Sequence, residues 1–463
     1  SRVVGFGEVI ADKAKLVLKV NTGAALLGLG YIIGLRYTLI ICLGSVAVWW
    51  LIVPGMSLLF HDTVLNIGGG DVTMTVGQMS PEIIFKTYAR SIGIGGIAMA
   101  GIIGIVKSWG IVKNAVGLAG KELKGTHPKE AEAENAQNPA ARSTGVAGPR
   151  TQRDLSFKFI AIASLLAIAL TFVFYWFGVM HNLLFAIVAI LLTAAIAFLF
   201  TTVAANAIAI VGSNPVSGMT LMTLILASVV MVGVGLRGTS GMLAALIMGG
   251  VVCTALSMAG CFVTDLKIGY WLGTTPRKQE SWKFLGTLVS AATVGGVMML
   301  LNQTYGFDPE VEGHLVAPQA NAMAAVIEPM MKGAGAPWLL YGIGALIALV
   351  LDRCKIPALA FALGMFIPLE LNLPLLVGGA VSWFVTSRSK SEEANKARGE
   401  KGTLIASGFI AGGALMGVVS ALLRFFDVDL NCADWQQTAY AELLSLVAYV
   451  LLITYFIRAT KKG

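Results

Sequence analysis

An apolar, glycine-broken stretch that occurs twice is the feature that most constrains this chain. The first copy spans 25–49 and the second spans 359–383, at a constant offset of 334 positions. The identical pairs at this offset are Ala24/Ala358, Leu29/Leu363, Gly30/Gly364, Ile33/Ile367, Leu35/Leu369, Leu39/Leu373, Gly44/Gly378 and Trp49/Trp383. Interrupted apolar segments at matching places in two halves of a membrane protein indicate the binding site of a transporter. Chance similarity between two glycine- and leucine-rich helices is the alternative.

The two copies are interrupted at the same place by different residues. Gly34 precedes Arg36 in the first copy, and Pro368 precedes Glu370 in the second. Proline cannot continue a helical hydrogen-bond ladder, and glycine permits backbone angles that end one. Backbone groups freed inside a membrane must meet protein, water or a substrate. We therefore expect two broken helices, with Arg36 and Glu370 as candidate substrate contacts.

The composition is that of a polytopic membrane protein. Of the 463 residues, 56% are hydrophobic and only 13% are charged, whereas a soluble domain carries about 25% charged residues. The net charge of +8 resides in short loops between apolar spans, so it is a topology signal and no nucleic-acid partner is expected. The five cysteines and four histidines have no metal-ligand spacing. No P-loop or nucleophile elbow occurs, so we expect no metal, no cofactor and no enzymatic activity.

The pattern of apolar segments predicts an all-α integral membrane protein, a helical bundle of two pseudo-repeat halves with re-entrant or broken helices. We assign 1–110 to the first half, whose N-terminal part we expect to be absent, 111–155 to a hydrophilic cytoplasmic linker, and 156–463 to the second half. The predicted spans lie near 36–56, 90–109, 156–179, 182–205, 217–236, 240–263, 284–304, 336–351, 402–424 and 439–457.

Lysine and arginine placement predicts the orientation. Basic residues concentrate in loops 107–158, 265–283 and 387–401 and in the C-terminal tail, which the positive-inside rule places in the cytoplasm. This topology, in a cytoplasmic (inner) membrane, requires 356–386 to be a re-entrant hairpin, with a returning segment at 374–386. A weaker similarity between 92–104 and 408–420 suggests that the halves have opposite orientation, as an inverted repeat.

A third break lies in the second half. The run 212–215 (GSNP) ends an apolar helix, and we expect the helix to restart after Ser217 and Gly218. Because a helix N-terminus carries partial positive charge, it suits an anionic substrate group. Asn214, Ser217 and Gly218 are therefore candidate substrate contacts. An ordinary helix corner capped by Asn214 is the alternative.

Two further segments carry candidate residues. Asp265 closes a long apolar span, where a carboxylate needs a partner or protonation, so Asp265 and Glu370 are candidates for proton coupling. A positive-inside anchor with a snorkelling lysine is the alternative. Gln319 and Asn321 lie in a methionine-rich segment, 317–337, that forms either a gate helix contacting substrate or an amphipathic surface helix.

Five collinear segments resemble the oligopeptide transporter (OPT) family, specifically its bacterial branch, which is related to the yellow-stripe-like metal-chelate carriers. The most specific of them is TDLKIGYWLGTTPRKQ, at 264–279, although Cys261 departs from the polar residue expected just before it. The other segments are 25–36, 212–228, 318–338 and 355–379.

The resemblance implies a secondary carrier for oligopeptides or related amino-acid conjugates, driven by protons and embedded in membrane lipid as a monomer or a homodimer. A metal-chelate carrier on the same scaffold is the alternative. From a different class, a channel or a non-transporting membrane protein is the other alternative, although two copies that carry Arg36 and Glu370 do not supply the ring of like residues that a filter needs.

Overall fold

A computed structural model describes residues 15–67, 73–107, 110, 150–211, 216–307, 337–388, 391–426, 428 and 438–461, with isolated residues between 320 and 331. Over these ranges the chain consists of helices and their connections, and no strand occurs in them. Eight helices in the described part are long and apolar enough to cross a membrane. The predicted all-α, polytopic membrane fold is confirmed.

The chain divides into two compact units. The first comprises Ser1–Ala100, Gly296–Ala322 and Ala334–Gly463, and the second comprises Gly101–Gly295 and Met323–Gly333. The predicted division into 1–110, 111–155 and 156–463 concerns repeat halves and their linker, and it stays a prediction. Most of that linker, 111–149, lies outside the described residues.

The first unit contains both repeat copies. Its helices are α1 (Ala24–Ile33), α2 (Leu35–Val46), α3 (Val53–Leu59), α4 (Pro81–Ile84), the first part of α5 (Arg90–Lys107), α11 (Trp338–Arg353), α12 (Ala358–Phe366), α13 (Leu369–Thr386), α14 (Glu392–Phe425) and α15 (Ala439–Lys461). Two π-helical segments, Ala47–Ile52 and Phe85–Ala89, join α2 to α3 and α4 to α5. The rings of Trp49 and Phe85, one from each π segment, stack with centroids 4.6 Å apart.

The second unit is built from longer helices. They are α6 (Phe157–Phe174), which continues as a π segment to Met180, α7 (Leu183–Val211), α8 (Val216–Val234), α9 (Gly238–Leu272) and most of α10 (Pro276–Thr304). A buried core with Leu224, Met231 and Met248 joins α8 to α9. Helix α10 buries none of its residues. It is also apolar enough to be a candidate membrane span, so its apolar side chains are exposed on the surface of the unit.

Both predicted breaks in the repeat copies are confirmed. Gly34 ends α1 with φ 84° and ψ 160°, backbone angles that favour glycine. In the second copy, Ile367 and Pro368 are extended between α12 and α13. The prediction for 374–386 was too short, because α13 begins at Leu369 and carries Pro374 within it. Helix α13 is therefore long enough to be a candidate span in its own right.

Candidate functional site

The two broken helices cross each other in the first unit through direct backbone contact. A Cβ atom placed on Gly30 of α1 would collide with the carbonyl oxygen of Leu375 in α13. A Cβ atom placed on Gly364 of α12 would collide with the carbonyl oxygen of Ile41 in α2. At the offset of 334, Gly364 is the counterpart of Gly30 and Leu375 is the counterpart of Ile41. The same contact is therefore made twice, once in each direction.

A second pair of glycines repeats this reciprocity. Gly378 faces the carbonyl oxygen of Leu27, and its counterpart Gly44 faces the carbonyl oxygen of Phe361, which is the counterpart of Leu27. Reciprocal contacts of this kind arise between surfaces that are related by a two-fold axis. Glycine is required on both sides because any side chain there would push the helices apart.

Polar side chains follow the same reciprocal pattern at the centre of the crossing. The hydroxyl of Thr38 lies against Gly379, and the amide of Asn372, the counterpart of Thr38, donates to the hydroxyl of Ser45, the counterpart of Gly379. The Ser45 hydroxyl in turn donates to the carbonyl of Gly364 at 2.6 Å. Only the second copy thus contributes a side-chain amide to this crossing.

Asn372 ties the end of α12 to the beginning of α13. Its Nδ2 also donates to the carbonyl of Ile367 at 3.2 Å, so it satisfies a backbone acceptor that the break leaves free. Its Oδ1 is fully buried, and no described residue donates to it. Thr38 makes only local bonds, to the carbonyls of Gly34 and Leu35 at 3.0 and 3.1 Å.

Arg36 and Glu370 occupy equivalent places, as the second residues of α2 and α13. Both side chains are exposed, and within the described part of the chain neither forms an ion pair. The backbone carbonyl of Glu370 accepts a hydrogen bond from the N–H of Asn21 at 2.9 Å. Each helix N-terminus carries partial positive charge, which Arg36 increases and Glu370 offsets. The two copies therefore present opposite charges at the same point of the repeat.

Asp265 belongs to the second unit and has a partner. Its carboxylate forms a close ion pair with Lys283 of α10, and Gln279 donates to its backbone carbonyl at 2.7 Å. These contacts hold the ends of α9 and α10 together around the turn at Gly273, which has φ 66°. Lys283 is therefore the partner that a carboxylate at the end of an apolar helix needs.

The remaining predicted contacts are only partly described. Helix α8 begins at Val216, so Ser217 and Gly218 lie in its first turn and the restart comes earlier than predicted. Asn214, Gln319 and Asn321 lie outside the described residues. Of the predicted site residues, the structure gives side-chain surroundings for Arg36, Glu370 and Asp265.

Sequence reasoning missed the polar residues at the crossing. Thr38 and Asn372 are a polar pair at the repeat offset inside two apolar runs, and that coincidence was a usable signal. Arg90 was also missed. Its guanidinium carbon lies 4.9 Å from the ring centroid of Phe366, at the end of α12.

Comparison with known proteins shows which family the chain belongs to. The sequence model of the OPT oligopeptide transporter protein family matches residues 4–424. The chain belongs to the oligopeptide transporter family. A Haemophilus influenzae protein, whose name describes it as a candidate oligopeptide transporter, is 26% identical over 502 aligned positions, which cover 97% of this chain and 75% of that protein. Family membership and the apolar helices together make this chain a multi-pass membrane transporter.

Proposed function

We propose that the protein is a proton-coupled carrier of oligopeptides in the cytoplasmic membrane, with its C-terminus in the cytoplasm. The observation that carries the proposal is the reciprocal crossing of the two broken helices. Carriers built from inverted repeats place their substrate where discontinuous helices meet near the middle of the membrane. We infer that the two copies form such an inverted pair.

The charges that follow the two breaks suit a peptide. A peptide has a carboxylate at one end and an ammonium group at the other, and the equivalent positions Arg36 and Glu370 offer one cation and one anion. Arg36 also lies at the N-terminus of α2, where the helix dipole adds to the attraction for a carboxylate. Asn214, Ser217, Gly218, Gln319 and Asn321 remain further candidate contacts.

Glu370 is the stronger candidate for carrying the coupling proton. Asp265 is paired with Lys283, so its protonation would break that ion pair. Glu370 has no such cation among the described residues, so its protonation breaks no ion pair. Substrate binding near Glu370 can then be linked to proton uptake at the same place.

The test is uptake into proteoliposomes of the full-length protein. Labelled tri- and tetrapeptides and an iron chelate are offered with and without an inward-directed proton gradient. We expect gradient-dependent peptide uptake that falls at least about tenfold in Glu370→Gln, the scale of one lost charge-assisted contact. Asp265→Asn is the matched control and should retain coupling, whereas Arg36→Gln should raise the KM for peptides.

Other outcomes would move the assignment. Uptake of the chelate alone would favour the metal-chelate branch. The described residues contain no cluster of three or more His, Cys, Asp or Glu side chains, so the metal ligands would then come from the chelator. Flux that ignores the gradient contradicts proton coupling and favours a channel.

A further inference from the structure

The segment that precedes α1, residues 15–23, is not helical. Two of its backbone groups bond to residues distant in the chain: the carbonyl of Val17 accepts from the indole N–H of Trp50 at 3.3 Å, and the N–H of Asn21 donates to the carbonyl of Glu370 at 2.9 Å. Val17 is buried between the exposed Leu16 and Leu18, as in an extended chain, whereas Lys19 and Val20 are both exposed.

The two edges of this extended segment differ. In an extended chain, the N–H and C=O of one residue point to one edge and those of the next residue point to the opposite edge. The odd-numbered residues Val17 and Asn21 use their edge to bond to Trp50 and Glu370. The even-numbered residues Leu16, Leu18 and Val20 form the other edge, and their backbone groups have no partner among the described residues.

A free edge of this kind selects a particular type of ligand. Unpaired backbone groups in a membrane protein need water or a polar partner, and a row of alternating donors and acceptors is complementary to another extended backbone. Leu16 to Val20 covers about 13 Å, the length of a tetra- or pentapeptide strand. The side chains on the exposed face are 37%, 65% and 45% accessible and are all apolar, so they place no charge requirement on the ligand.

We propose that the even-numbered edge of residues 16–20 binds the substrate peptide by adding it as a strand. This inference rests on the proposed peptide transport and names how the substrate is held. Recognition through the main chain tolerates many side chains, as a carrier of varied peptides requires. The bond from Asn21 to the backbone carbonyl of Glu370 places one end of the strand beside the residue proposed to carry the proton.

Backbone N-methylation of the substrate tests this binding mode. Tetrapeptides methylated at the second, third or fourth nitrogen are compared with the parent peptide, by binding to the detergent-solubilised full chain and by uptake into proteoliposomes. We expect every other position to be sensitive, with Kd and KM raised about three- to tenfold, the scale of one hydrogen bond. Equal tolerance at all positions, or equal loss at all positions, overturns the proposal.

A pair of variants at one residue tests the protein side. Leu18→Pro removes a backbone N–H from the free edge, whereas Leu18→Ala keeps it, so KM should be about three- to tenfold higher in Leu18→Pro than in Leu18→Ala. Equal KM in both variants overturns the proposal. If Leu18→Pro fails to fold, the N-methyl series on the unmodified protein decides.

The two readouts separate this inference from the proposed function. Position-dependent peptide binding without gradient-driven uptake overturns proton-coupled transport and supports the strand. Gradient-driven uptake that is indifferent to the methylated position supports transport and overturns the strand. No binding of any peptide overturns both.

Discussion

The two repeat copies share their backbone contacts and differ in their polar side chains. The glycine pairs Gly30/Gly364 and Gly44/Gly378 are the same in both, whereas Arg36 corresponds to Glu370 and Thr38 corresponds to Asn372. The shared glycines keep the helices in contact, and each resists substitution for a steric reason. The differing positions carry charge and hydrogen bonding, so the asymmetry of the site resides there.

The copies also differ in what precedes them. The first copy follows the extended segment 15–23, and the second follows α11 and a short turn. Backbone groups are unpaired beside the first copy, whereas a helix satisfies its own beside the second. A pair of helices that cross symmetrically is therefore preceded by different structures in the two copies.

The shared glycines give the largest expected effect. Gly30→Ala and Gly364→Ala each place a methyl group against a carbonyl oxygen of the other copy, which should cost about 3 kcal/mol or more and abolish monodisperse folded protein. Size-exclusion profiles and thermal unfolding in detergent measure this loss. Gly412→Ala, at an open position on α14, is the control and should fold normally. A difference between the two crossing variants would break the equivalence of the copies.

The polar pair gives an intermediate and unequal effect. Asn372→Leu removes the donor to Ser45 and Ile367 and should cost about 2 kcal/mol, because buried acceptors lose their partner. Thr38→Val removes bonds only to its own helix turn and should cost less than about 1 kcal/mol. Thermal unfolding of both variants compares them. Equal losses would show that the second copy has no special role in holding the crossing.

The segment before the first copy gives the smallest effect. Lys19 pairs with Glu82 at 2.8 Å. Burial by itself raises the pKa of Glu82, but the hydrogen bonds from Lys19, the backbone and Ser80 and the charge of Lys19 together hold that pKa below its ordinary value. The pair therefore stabilises the fold above about pH 4.3, the unfolded pKa of glutamate, and this contribution is lost as the pH falls through the lower folded pKa.

Both partners of that pair are substantially exposed, so we expect less than about 1 kcal/mol. Unfolding midpoints of the unmodified protein and Glu82→Gln should differ slightly at neutral pH and converge on acidification. A gap that widens on acidification would contradict the assigned direction of the pKa shift.

Patterns local in the sequence predicted the helices and their breaks, but they could not predict contacts between residues of different helices. Gly34 and Pro368 stand at the same place in the two copies, each two residues before a charge in an apolar run, and this coincidence made both breaks predictable. The partner of Asp265 was not, because Lys283 belongs to the next helix and only the turn between them brings the two together. The non-helical segment 15–23 was missed because so short an apolar run has no periodicity that distinguishes an extended chain from a helix.

The weaker similarity between 92–104 and 408–420 stays a prediction. In the structure, a Cβ atom on Gly28 would meet the carbonyl oxygen of Ala406, whereas a Cβ atom on Gly96 would meet the Cβ of Ala362. Glycine-rich helices match one another at several registers, and only packing selects one of them.

The reciprocal glycines have a consequence for how such a chain changes over evolutionary time. If both copies descend from one duplicated segment, most positions are free to diverge independently. Gly30 and Gly44 press on the backbone of the other copy, and Gly364 and Gly378 press back, so a larger residue in either copy displaces both. These four glycines should therefore be retained longest after the duplication, and an alignment of distant relatives can test whether they are.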